Sequence, residues 1–331
     1  MDVIRVGHLS TFYHTAFVLM GTDWLAEAGI EATWRLFPSG PDIVGALGAG
    51  EIDLAYVGLP PAMIGIDRGT PIRCIAGGHE EGTVLVAAGK YASAEEAGGV
   101  EAALAQFSVI GCPPKGSIHD IIVRDLLRLH RPCIEVRNFA WADFALAALQ
   151  DGEVDAAIGT PALAVGARRF AGGKIIIPPS MLWPNNPSYG IVATWETMKR
   201  PDAVLGFLEA HEAATMLIRD SPGAAAKIVS RVTGIVDEGY VLECYRVSPR
   251  YCAALSPEYV AATMRFAEVL HGLGYTRRTL AMAEVFDRRF IDAVHPELPH
   301  YNVPASKDAT ASKDATALKD ATASEHLSTG R

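Results

Sequence analysis

The 331-residue chain is poor in the features that announce redox, metal or membrane chemistry. Its five cysteines, Cys74, Cys112, Cys133, Cys244 and Cys252, form no CxxC pair and no zinc-ribbon spacing. Neither a disulfide framework nor a zinc ribbon is therefore expected, and whether Cys244 and Cys252 pair stays open. Basic residues number 29 against 38 acidic, a net charge of −9. A nucleic-acid footprint needs the opposite sign, although a local site inside an acidic protein can still be positive. The longest uncharged run, Ile175–Trp195, holds Pro178, Pro179, Pro184 and Pro187, which excludes a spanning helix. No GxSxG elbow, HExxH, strand-borne GxGxxG or Walker loop is present. Ten histidines are scattered, none paired with another at metal spacing on one helix face. The expectations are no cofactor, no metal and no nucleic-acid partner.

What is present is apolar and patterned. Half of the residues are hydrophobic, enough for about two domains with sizeable cores. Val3–Leu9 alternates as a strand, and no basic leader is expected before it. Ser10 and Thr11 offer a cap for a helix whose apolar face is Tyr13, Ala16, Phe17, Met20 and Trp24. A strand over 31–37 precedes Ser39-Gly40-Pro41, which puts proline in the first turn of the next helix. Strand 53–57, a short helix over 60–68 and strand 72–76 follow. Alternation of this kind makes a mostly parallel sheet with helices on its faces, and ligands sit beyond the carboxyl ends of such strands.

The plan then repeats. Gly50-Glu51-Ile52-Asp53-Leu54-Ala55 matches Gly152-Glu153-Val154-Asp155-Ala156-Ala157, and Gly58-Leu59-Pro60 matches Gly159-Thr160-Pro161. The fold class expected is α/β, as two similar three-layer lobes joined by a two-crossing hinge with a ligand cleft between them. Lobe one takes residues 1–88 and 188–300, the latter as a return strand plus C-terminal helices packed on it. These helices are expected over 201–219, 222–232, 257–271 and 278–293. Lobe two takes 89–187. Residues 301–331 contain three consecutive KDAT-type hexapeptides with balanced charge and almost no large apolar residue, and read as a flexible tail.

Candidate site residues cluster after the strands. Lys115, Gly116 and Ser117 stand where a strand meets a helix, and free amides there suit an anion. Ser117-x-x-Asp120 is equally a capping box, which needs no ligand. Ser10, Thr11 and His14 hold the matching place in lobe one, and Ser39, Gly40 and Gly58 follow the next two strands. The segment Gly77–Gly82 reads as a turn that presents His79. Trp141 and Tyr189 are aromatic candidates beside the cleft, each equally explained by packing. No group is assigned a catalytic role.

The opening strand with Gly7-His8, the segment Phe37-Pro38-Ser39-Gly40, the run from Ala49 to Ala55 through Gly58-Leu59-Pro60-Pro61, and the Lys115–Asp120 helix start resemble one known family. This is the type II periplasmic solute-binding fold, in the branch of sulfonate, taurine, nitrate and thiamine-precursor binding proteins. The resemblance covers about residues 1–295. It implies a monomeric receptor that closes on a small, anionic organic solute and delivers it to the permease of an ABC transporter. It also implies an extracytoplasmic location, with the cytoplasm as the alternative. The competing reading is a cytoplasmic enzyme of the same fold, a lyase or dehydratase, or a pyrimidine-precursor enzyme. The pyrimidine-forming relatives use a cysteine-rich cluster, for which Cys112 is the only nearby counterpart here.

Overall fold

The computed structural model describes residues 2–130, 133–141 and 143–300; the expected tail lies outside them. Eleven strands are described: β1 (Asp2–His8), β2 (Ile30–Leu36), β3 (Leu54–Val57), β4 (Ile72–Glu80), β5 (Val84–Ala88), β6 (Val109–Cys112), β7 (Glu135–Asn138), β8 (Ala156–Gly159), β9 (Gly173–Ile177), β10 (Pro187–Thr194) and β11 (Tyr251–Cys252). They form two sheets, in the orders β11-β4-β10-β3-β1-β2 and β7-β6-β8-β5-β9.

The duplication read in the sequence is visible in the pairing. β2, β1 and β3 run parallel with β10 antiparallel beside β3; β7, β6 and β8 run parallel with β5 antiparallel beside β8. The repeated Gly-Glu-x-Asp segments do the same work twice. Gly50 and Gly152 take left-handed φ values of 68° and 72°, conformations glycine adopts without steric cost. The aspartates that follow bind the neighbouring strand: Asp53 accepts from the Arg5 amide at 2.8 Å, and Asp155 from the Val109 amide at 3.0 Å.

The chain crosses between the sheets twice, from β4 to β5 and from β9 to β10. Each crossing holds a non-glycine residue at positive φ, Glu81 at 58° and Asn185 at 56°. The crossings also hold each other: the Glu81 amide donates to the Asn186 carbonyl at 2.7 Å, and the Asn185 amide donates to Glu81 Oε1 at 3.1 Å. Strain of this kind persists only where the surroundings over-determine it.

Three expectations are corrected. The helix after β1 starts at Thr15, not at Ser10-Thr11, and is two pieces, Thr15–Met20 and Trp24–Glu27. Ser10 and Thr11 instead form tight turns, with the Phe12 amide on the Ser10 carbonyl and the His14 amide on the Thr11 carbonyl. The Gly77–Gly82 turn does not exist as such, because pairing with β11 and β10 continues β4 through Glu80. The helix expected over 278–293 is broken into Met282–Val285 and Ile291–Val294, because Phe286 bridges to Cys74 and the Asp287 amide donates to the Cys74 carbonyl. Cys244 and Cys252 are free thiols.

The C-terminal helices do more than cover the first sheet. Pro201–Asp220 packs on β2 and β11, whereas Glu238–Val247 lies against Pro161–Phe170, which follows β8 of the second sheet. Tyr240 Oη donates to the Ala162 carbonyl at 2.8 Å, and Arg169 pairs with Glu243 at 2.8 Å. Beyond helix Pro257–Gly272, Tyr275 Oη reaches Asp120 Oδ2 at 2.5 Å.

Candidate functional site

A cavity of about 60 Å³ lies where the carboxyl ends of strands from both sheets meet. At about 10–15 Å³ for one water, it has room for a handful of non-hydrogen atoms. Ser10, Thr11, His14, Ser39, Gly40, Gly58 and Ser117 all line it. Thr160, Ser188 and His119 line it as well.

None of the lining residues is a lysine, arginine, aspartate or glutamate. Burial disfavours the charged form of the histidines there. Burial pushes His119 down to about 4 and His14 well below its ordinary value, the latter helped by the nearby His79, His8 and His211. Polarity comes instead from the backbone. Helices Gly40–Gly48, Leu59–Asp67, Ile118–His130 and Pro161–Phe170 begin at Ser39, Gly58, Ser117 and Thr160, all at the cavity. Two of these follow strands of the first sheet and two follow strands of the second. Each start carries roughly half a positive charge, although Pro41, Pro60, Pro61 and Pro161 remove first-turn amides, so it is the four dipoles together that favour an anion without a fixed cation.

The hydroxyls differ in what they have left to give. Ser39 donates to Asp42 Oδ2 and accepts from the Asp42 amide, so it serves its own helix start. Ser117 Oγ accepts from the Asp120 amide at 3.3 Å and keeps its O–H for a ligand. Thr160 caps its helix without a side-chain hydrogen bond. His14 Nδ1 lies 2.9 Å from Thr11 Oγ1, whereas its buried Nε2 has no partner among the described residues.

Five expected site residues are not brought to the cavity. His79 is buried within β4, bonded to the Ser248 carbonyl at 2.8 Å and stacked on Tyr251; burial pushes it down to about 4. Tyr189 lies behind the site, its ring 3.9 Å from that of His14 and its hydroxyl 3.1 Å from Thr15 Oγ1. Trp141 is half-buried, and its carbonyl accepts from the Phe144 amide at the next helix start. Lys115 and Gly116 face a different, wider groove of about 500 Å³ shared with Pro41 and Tyr275. The left-handed turn at Gly116, φ 84°, with its amide on Asp120 Oδ2, sends Lys115 outward while Ser117 stays inside. That groove is larger but more open and carries Lys115 and Arg68, whereas the more enclosed small cavity gathers four helix starts from both sheets, which makes it the candidate site for a desolvated anion.

Thr160, Ser188 and His119 were missed. Thr160 was within reach, since Gly159-Thr160-Pro161 repeats Gly58-Leu59-Pro60 and both Gly58 and Thr160 cap the helix that follows. Nothing in the sequence marks Ser188.

Residues 3–233 match the model of the NMT1-like family. The chain belongs to the NMT1-like family. Solved structures repeat the architecture of this NMT1-like chain at low identity, which speaks for the fold alone. The periplasmic nitrate-binding protein NrtA from Synechocystis PCC 6803 superposes with a TM-score of 0.74 at 14% identity, over 92% of each chain. A ligand-binding component of an ABC-type import system from Staphylococcus aureus, solved with zinc bound, gives 0.73 at 15%, over 90% of this chain and 100% of that one. The alkanesulfonate-binding protein SsuA from Xanthomonas axonopodis pv. citri, bound to MOPS, gives 0.72 at 15%, over 87% and 99%. Among curated proteins no sequence match is found. No helix among the described residues is long and apolar enough to cross a membrane.

Proposed function

We propose that this NMT1-like protein is the solute-binding component of an ABC-type importer, holding a small anionic group between its lobes and performing no chemistry on it. The observation that carries the reading is the convergence of four helix starts, two from each sheet, on one cavity without fixed charge. The two adjoining crossings supply the hinge about which the lobes open to admit the solute. The protein acts as a monomer outside the cytoplasm, with the transporter's permease as partner. The cavity size suits nitrate, bicarbonate or the head group of a sulfonate.

A binding role also agrees with the state of the cysteine nearest the site. Cys112 is fully buried, and burial together with nearby Asp120 raises its thiol well above the ordinary value, which disfavours a thiolate nucleophile or ligand.

The test is thermal melting of the full chain against alkanesulfonates, taurine, nitrate, bicarbonate, formylaminopyrimidines and dicarboxylates. A ligand at ~100 times its dissociation constant adds about 2.7 kcal/mol. The expected result is an upward, saturable shift of several degrees for one anionic class, with the ligand recovered unchanged. Recovery of an altered ligand would establish the enzyme reading instead.

A further inference from the structure

Away from the cleft, the edge of the first sheet gathers a different chemistry. Cys252 in β11 and His295, just past helix Ile291–Val294, are buried; His300 is half-buried. One ligand atom from each of the three lies within 4.8 Å of the others. Cys252 Sγ is 3.4 Å from His295 Nε2, and the His300 amide also points at that sulfur at 3.5 Å.

We propose that Cys252, His295 and His300 bind a borderline-soft divalent cation, zinc or a metal of similar preference, and so fasten the end of the described chain to the first sheet.

The donor set is the argument. Thiolate with imidazole selects zinc-like ions over magnesium or calcium. Metal–nitrogen bonds of about 2.0–2.1 Å and metal–sulfur bonds of about 2.3 Å put two tetrahedral ligand atoms roughly 3.3–3.6 Å apart. The Cys252–His295 separation already has that value, and His300 needs only a small closing movement. A fourth donor is at hand. Glu212 Oε1, on helix Pro201–Asp220, lies 3.8 Å from His295 Nε2 and 3.3 Å from His300 Nε2. Its other oxygen accepts from Thr215 Oγ1 at 3.1 Å, which orients the carboxylate as an outer-shell partner does. Nε2 of both histidines faces Glu212 Oε1 and so is the atom each offers the group, while His295 Nδ1 lies 3.6 Å from Glu297 Oε2. Binding takes Cys252 as thiolate and releases its proton to solvent. The ligands come from positions 252, 295 and 300 on separate elements, which is why a search for metal spacing along one helix does not see them.

The experiment titrates Co2+ into tag-free, chelator-stripped full-length protein. The expected result is saturation at one equivalent, the intense visible absorption of tetrahedral cobalt, and a near-ultraviolet thiolate charge-transfer band. Cys252→Ser should abolish that band, and His300→Ala, at the chain's periphery, should weaken binding at least about tenfold. Zinc should raise the melting temperature of the wild type and raise that of each variant less. Far-ultraviolet circular dichroism of the metal-free variants confirms that they fold. Weak, octahedral-type absorption in the wild type, or a spectrum and affinity unchanged in His300→Ala, would overturn the site.

Discussion

Replacing Gly58 by leucine is expected to lower ligand affinity by roughly 10- to 100-fold while leaving the ligand-free protein folded. Gly58 belongs to the first sheet's β3–helix junction, and a Cβ there would stand 3.3 Å from Ile118 Cβ on the helix of the second sheet. Its φ is −61°, so the backbone accepts any residue and the conflict is one of space across the cleft. Overpacking a closed interface costs about 1–3 kcal/mol. The lobes can avoid that cost by staying apart, and the ligand must then supply it on closing, which reduces apparent affinity by the fraction closed. Titration calorimetry together with melting of the free protein reads both effects. Unchanged affinity would mean that the lobes do not close there. Should the leucine variant fail to fold, Gly58→Ala gives the same direction with a smaller loss.

The second large effect is acid sensitivity. His79, His119 and His211 are buried and held at about 4, in each case chiefly by desolvation. His14 is displaced downward too and faces His8, His79 and His211. His211 spans the Gly77 carbonyl and Thr15 Oγ1, His79 the Ser248 carbonyl, and both surround the Tyr189 ring with His14. Arg250, paired with the buried Glu80, and the tyrosines Tyr13, Tyr56 and Tyr251 are further titratable groups near this cluster. Because the unfolded chain protonates these histidines near 6.5 while the folded one holds His79, His119 and His211 near 4, stability is full above 6.5 and is lost as pH falls through that window. Each histidine costs roughly 2 kcal/mol by pH ~5 and about 3 kcal/mol when fully titrated, against a total of about 5–15 kcal/mol for a domain. The melting temperature should therefore drop by about 10–20 °C between pH ~7.5 and ~5. A melt unchanged over that range would show that the histidines are not held neutral.

How much of this was legible in the sequence varies with the kind of information required. The duplicated Gly-Glu-x-Asp segments and the helix starts at Ser39, Gly58 and Ser117 are local features, and the fold uses them as read. The strands β5 and β9 were not foreseen, because their place depends on antiparallel partners far along the chain rather than on their own pattern. His79 was misplaced for the same reason: Tyr251-Cys252 comes from more than 170 residues away and turns a glycine-rich stretch into a buried strand. Lys115 and Ser117 are two residues apart, yet one faces out and the other in, decided by the positive φ of Gly116. Alternation and capping rules do not see that reversal.

The central claim, that the small cavity rather than the outer groove holds the solute, is tested by one set of titrations with the ligand found by melting. Ser117→Ala combined with Thr160→Val removes two hydroxyls from the cavity, and Lys115→Ala removes one of the two cations, Lys115 and Arg68, that line the groove. Hydrogen bonds to an anion are worth about 1.5–3 kcal/mol each, so the double variant should bind on the order of a hundredfold more weakly. Lys115→Ala should bind as the wild type does. The reverse pattern, a loss with Lys115→Ala and none with the double variant, would contradict the account.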